Sequence, residues 1–238
     1  MSINLTSLVH NEMYGRLNRE CISGQLSTVK RVIKEEGHYF GEFLTQNSSS
    51  ELAHVTMLRI LFSQKNEFRQ TGDKPVFYDL GCGVGALAIY AAHDGWLGLG
   101  SEFDDGHYQR ALKNIDDAVR TNLIGADQAK VAYGNFFPDG FRVESGDPQV
   151  DIFRGYLRER SQVPSINFRE SFGIDISDVD LFYHFQVELR NNVLRFFAEF
   201  AKSGAMLAFV PTINDKEILP SGVDFLGRQS LMRLYQKR

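Results

Sequence analysis

The stretch Val76–Ala92, VFYDLGCGVGALAIYAA, decides the fold. Val76–Tyr78 and Leu80 form an apolar run around an acid, Asp79, and read as a buried strand. From Gly85 onward Leu87, Ile89, Tyr90 and Ala91 read as a helix. Between the two lie Gly81, Gly83 and Gly85. A turn built this way lets backbone approach a ligand closely and points amide N–H groups at it.

Downstream, strand and helix alternate. Trp96–Ser101 is a short strand candidate, weakened by its glycines. Asp104–Leu123 is an amphipathic helix, with Tyr108, Ala111, Leu112, Ile115, Ala118, Val119 and Leu123 on one face and Asp104 or Asp105 as its cap. Strands are expected at Lys130–Phe137, Val179–Phe185 and Ala205–Val210, and a helix over Glu188–Lys202, ending at Gly204. Val223–Leu226 and Leu231–Gln236 read as two antiparallel strands. This order predicts an α/β fold: a doubly wound, mostly parallel sheet with an antiparallel C-terminal strand pair.

Upstream, residues 1–72 are helical in pattern, over Ser27–Glu36 and Ser49–Phe62, and form an N-terminal cap. The loop Gln70–Pro75 leads into the sheet domain, 73–238. Phe137–Asp178 is longer than a crossover needs. An insertion is expected at about 138–178, with a helix around Ile152–Arg160, that either shapes a substrate site or decorates the fold.

Composition bounds the partners. The 238 residues carry a formal net charge of −4, which gives no electrostatic case for nucleic acid or an anionic membrane. The two cysteines, Cys21 and Cys82, are too few for a disulfide framework and read as thiols of an intracellular, cytoplasmic protein. No leader, membrane span or metal-ligand set is expected.

Several nucleotide-binding classes share a glycine turn. A P-loop is excluded, because no Gly-Lys-Ser/Thr follows. The relaxed dinucleotide fingerprint fits Gly81-x-Gly83-x-x-Ala86. Three further features narrow the choice. Asp79, two residues before the first glycine, suits an ammonium group and repels a pyrophosphate. Glu102 follows the second strand and can take both ribose hydroxyls. In GNFF, Gly134–Phe137, Asn135 can bond an adenine edge and Phe136 can stack on its face. Ammonium, ribose and adenine without phosphate describe S-adenosylmethionine.

DLGCGVG, Asp79–Gly85, resembles motif I of the class I, Rossmann-like S-adenosylmethionine-dependent methyltransferases. Glu102 resembles the acid after their second strand, and Asn135 falls where they contact adenine. The resemblance covers about Val76–Arg238. It implies a seven-stranded sheet with helices on both faces, and a cofactor held by Asp79, Gly81, Gly83, Gly85, Glu102, Asn135 and Phe136.

The methyl acceptor is read at the end of the fourth strand, DLFYHFQVE, Asp180–Glu188. It is not Asn/Asp-Pro-Pro-Tyr, which disfavours the exocyclic-amine methylating subset. His184 is the candidate base, with Tyr183, Gln186 and Glu188 lining the acceptor pocket. By alternation Tyr183 and Phe185 face one side of the sheet and His184 the other. Tyr39-Phe40-Gly41-Glu42 loosely resembles a stretch ahead of motif I in the non-SET nucleosomal lysine methyltransferases. Paired asparagines of that family are replaced here by His184 and Phe185. Tyr14, Tyr39 and Phe40 would enclose the transfer centre. The expected acceptor is a protein side chain or a small molecule. A nicotinamide-dependent oxidoreductase and a non-catalytic cofactor-binding protein are the alternatives.

Overall fold

The structure, a computed structural model, describes residues 58, 61–62, 68, 73–143, 163–185, 190–210, 219–229 and 232–238. Tyr14, Tyr39, Phe40, most of the expected N-terminal cap, the helix near Ile152–Arg160, Gln186 and Glu188 lie outside these residues.

The described elements are β1 (Val76–Leu80), α1 (Ala86–His93), β2 (Leu97–Glu102), α2 (Asp105–Arg120), β3 (Ala129–Tyr133), β4 (Asn135–Pro138), β5 (Ser165–Ile166) and α3 (Phe168–Phe172). They continue with a 3₁₀ turn (Ile176–Asp178), β6 (Leu181–Phe185), α4 (Arg190–Phe200), β7 (Met206–Val210), β8 (Val223–Gln229) and β9 (Met232–Lys237). Seven strands form one sheet in the order β3-β2-β1-β6-β7-β9-β8. All pairings from β3 to β7 are parallel, and β9 is antiparallel to both β7 and β8. The sheet therefore has the seven strands and the doubly wound order expected of it. The antiparallel member, β9, lies inside the sheet, and the edge strand β8 runs with the others.

Central strands are apolar on both faces because both are covered. Every residue of β1 and β7 is buried. Tyr78, Phe182, Leu207 and Phe209 face a core completed by Phe168 and Phe172 of α3 and Phe196 and Phe197 of α4. Phe77, Leu181, Tyr183 and Ala208 face the other core, completed by Tyr90 and Ala91 of α1 and by the helical residues Leu58, Leu61 and Phe62. Phe62 meets the Phe77 ring edge-on at 5.0 Å, and its carbonyl accepts the Trp96 indole N–H at 2.9 Å. The last part of the helical pattern before the sheet thus packs on the sheet itself. Each such buried aromatic contributes on the order of 1.5–3 kcal/mol by burial.

Two expected elements differ. The strand Lys130–Phe137 is two strands broken at Gly134, where β4 leaves the main sheet and pairs with β5. A side chain at Gly134 would meet the Pro164 carbonyl oxygen at 2.7 Å, so the chain returning at β5 makes the break. The long connection contributes Ile166, Phe168 and Phe172 to the core, and Phe168 and Phe172 pack on Tyr78. The glycines of β2 weaken its strand propensity but permit close packing. A Cβ on Gly98 would lie 2.0 Å from the Ala88 carbonyl oxygen, so α1 rests directly on the strand. No described helix is long and apolar enough to cross a membrane.

Candidate cofactor site at the carboxyl end of the sheet

From β1 the chain moves to β2 on one side, and after β3 it returns to β6 on the other. The carboxyl ends of β1 and β6 therefore bound a crevice at a topological switch point, where open α/β sheets bind ligands. There Asp79 is registered against Tyr183, and Leu80 against His184.

The glycine turn follows β1 at this end of the sheet. Gly81 and Gly83 have φ of +90° and +53°, a region that side chains with a Cβ rarely adopt. A Cβ on either would meet no atom within 4 Å, so both present bare backbone to open space. Gly85 serves packing: a Cβ there would meet the Ala111 Cβ at 3.1 Å, where α1 begins beside α2.

Glu102 ends β2 with 5% exposure and holds the turn. Gly83 N–H donates to its Oε2 at 2.8 Å, and Asp104 N–H donates to its Oε1 at 2.8 Å. The Phe103 N–H also bonds this carboxylate, whose four lone-pair sites leave capacity for a further donor. Burial raises the carboxyl pKa, and the backbone N–H bonds oppose that shift. Asp104 is the cap of α2, its Oδ1 accepting from His107 N–H at 2.9 Å.

Asp79 is 3% exposed, and among the described residues none donates a hydrogen bond to its carboxylate. Burial, and secondarily the charge of Glu102, push its pKa well above the ordinary 3.8. Tyr183, on the same face, has its phenol pKa raised by burial and by the negative charge of Asp79. An acid so placed ionises readily only beside a cation.

His184 and Phe136 lie on the other face. The His184 Nδ1–H donates to the Leu80 carbonyl at 2.9 Å, so the neutral ring carries its lone pair on Nε2. The ring packs between Phe136, at 5.4 Å, and Phe209, at 5.6 Å. Phe136 is buried and also packs on Phe137 at 4.4 Å, so little of its ring face is open. Asn135 is half-buried, its Oδ1 accepting from Phe137 N–H at 3.2 Å. Asp79, Glu102 and Tyr183 thus share the sheet face of α1, and His184 and Phe136 the other face, while Asp79, Glu102, Tyr183 and His184 all stand within two residues of a strand's carboxyl end.

Sequence reasoning missed Asn114, buried in α2, whose Nδ2–H donates to the Val84 carbonyl at 3.0 Å and holds the turn from behind. A polar residue between Ala111 and Ala118 on an apolar face was the available signal. It also missed Ser101, whose carbonyl accepts the Cys82 N–H at 2.8 Å and whose Oγ accepts the Tyr78 hydroxyl at 2.8 Å. Among the described residues no three His, Cys, Asp or Glu side chains gather as a metal site.

Strand order and pairing define a doubly wound α/β protein with the glycine turn at its topological switch point. No protein-family model and no curated protein matches the sequence. Solved structures do resemble it. An RNA methyltransferase from Salinibacter ruber, in complex with S-adenosyl-L-homocysteine, is 18% identical over 75% of this chain and 90% of that one, with a TM-score of 0.41. A candidate methylase from Haemophilus influenzae is 15% identical over 78% of this chain and 98% of that one, with a TM-score of 0.49. A point mutant of MtNAS in complex with S-adenosylmethionine is 16% identical over 90% of this chain and 71% of that one, with a TM-score of 0.47.

Proposed function

We propose that this chain is an S-adenosylmethionine-dependent methyltransferase acting on a protein side chain or a small molecule. One observation carries the reading. Asp79 is a buried carboxylate beside a turn whose first two glycines present bare backbone to open space. A ligand ammonium group there restores the interactions that Asp79 loses on burial. A pyrophosphate would bring further negative charge against Asp79 and Glu102, which disfavours a nicotinamide cofactor.

The residues fit the cofactor in kind. Asp79 would hold the ammonium group, and the remaining acceptor capacity of Glu102 would take the ribose hydroxyls. Gly81 and Gly83 allow close approach, and Gly85 starts the helix behind it. The Asn135 amide would donate to the adenine edge, and Phe136, read from sequence as the ring that stacks on adenine, packs on His184. The bound cofactor supplies a sulfonium methyl group, whose transfer depends mainly on in-line placement of the acceptor. His184, through Nε2, would take the acceptor's proton, with Tyr183 and Glu188 shaping the pocket. The Tyr39–Glu42 stretch favours a protein acceptor.

Calorimetric titration with S-adenosylhomocysteine, with NADH as control, tests this. Uptake of the first alone is the expected result. Uptake of NADH alone overturns the reading of Asp79, and silence from both overturns the cofactor assignment. Bound S-adenosylhomocysteine with no turnover on any acceptor would make the chain a non-catalytic cofactor-binding protein.

A further inference from the structure

We propose that Gly100 is a positioning residue for the glycine turn. Its missing side chain is a socket that receives Cys82 and sets the height of Gly81–Gly85 above the sheet. The affinity part of this proposal rests on the cofactor reading above; the geometric part does not.

A Cβ built on Gly100 would lie 2.6 Å from the Cys82 Cβ and 2.7 Å from its Sγ. The thiol can rotate away, but the Cβ is fixed to the backbone, so the turn itself must move. The next two residues of β2 hold the same part of the turn. The Ser101 carbonyl accepts the Cys82 N–H, and Glu102 Oε2 accepts the Gly83 N–H, both at 2.8 Å. One steric contact and two hydrogen bonds thus match three consecutive strand residues to two consecutive turn residues. Lifting Cys82 by some tenths of an ångström lengthens both bonds together, and N–H···O bonds weaken beyond about 3.2 Å.

The turn cannot simply slide off. Asn114 holds the Val84 carbonyl from α2, and Gly85 lies close against Ala111. The displacement therefore falls on Gly81–Gly83, the part that faces open space. Gly98, two residues earlier, has a different task, because its socket receives the backbone of α1 at Ala88.

The test compares wild type, Gly100→Ala, Cys82→Gly and the double variant. Amide hydrogen exchange at positions 82 and 83 reports the seating of the turn. Calorimetry with S-adenosylhomocysteine reports its consequence. Gly100→Ala is expected to expose both amides and weaken binding by roughly tenfold or more. The double variant is expected to regain protection and to bind within about threefold of Cys82→Gly, since the two effects share one contact. Retained protection and affinity in Gly100→Ala overturn the proposal, as does a double variant no better than Gly100→Ala. If Gly100→Ala does not fold, recovery of folding in the double variant supports the socket and its absence overturns it. A wild type that takes up no S-adenosylhomocysteine overturns the cofactor reading, and the exchange pattern then decides the seat alone.

Discussion

The Gly83 amide donates to Glu102 Oε2 at 2.8 Å, joining the glycine turn to the end of β2 across 19 residues of chain. The acid assigned to a ribose is thus also the fastener of the cradle. On the proposed reading, ligand contact and turn geometry share one carboxylate.

Glu102→Ala should therefore lose twice. It leaves the N–H groups of Gly83 and Asp104 without their acceptor, at a cost of about 1–3 kcal/mol of stability. It should weaken S-adenosylhomocysteine binding by a further ~1–3 kcal/mol, roughly five- to 150-fold. Denaturant melts and calorimetry separate the two, and unchanged affinity would refute the ribose role.

Asp79→Asn should act in opposite directions on stability and binding. The folded chain holds a proton on Asp79 that the unfolded chain releases above about pH 3.8. Stability of the free wild type should therefore fall as pH rises from there through the raised pKa of Asp79. Asp79→Asn should lessen this slope and melt higher at neutral pH, while Glu102, shifted the same way, retains part of it. Binding of an ammonium ligand drives the proton off, so wild-type affinity should rise with pH over the same window. A variant that is less stable and binds as wild type would exclude this account.

Gly83→Val should remove binding and spare the fold. A branched side chain at φ +53° costs about 1–2 kcal/mol and projects into space where no atom lies within 4 Å. Circular dichroism should show a folded protein and calorimetry no heat with S-adenosylhomocysteine. Retained binding would put the ligand elsewhere.

His184 can be tested without knowing the acceptor. His184→Leu leaves the buried Leu80 carbonyl without its donor and should cost about 1–3 kcal/mol. His184→Asn offers an amide N–H near the same point and should recover most of that. Equal melts for the two variants would mean that the bond does not support the strand end.

Much of the turn's geometry and of the sheet's facing was legible in the sequence, for local reasons. A turn of alternating glycines after an apolar run specifies its own backbone, and strand alternation alone put Tyr183 and His184 on opposite faces, as their core contacts show. Asp104 as the α2 cap follows from local hydrogen bonding. Other features depend on distant chain. Asn114 reads as a flaw in an apolar face until Val84 is seen opposite it. Phe136 reads as a free aromatic until Phe137 and His184 are found against it.

The sequence by itself determined the order of the seven main-sheet strands and of α1, α2 and α4, the place of the glycine turn and the acids at two strand ends, because periodicity and turn chemistry are short-range. Only the tertiary structure decided that β9 lies inside the sheet, that β4 leaves it at Gly134, and that the β2 glycines are sockets for α1 and Cys82. Each of these depends on which atoms from elsewhere fill the space beside a residue, and a residue's neighbours in sequence do not specify that.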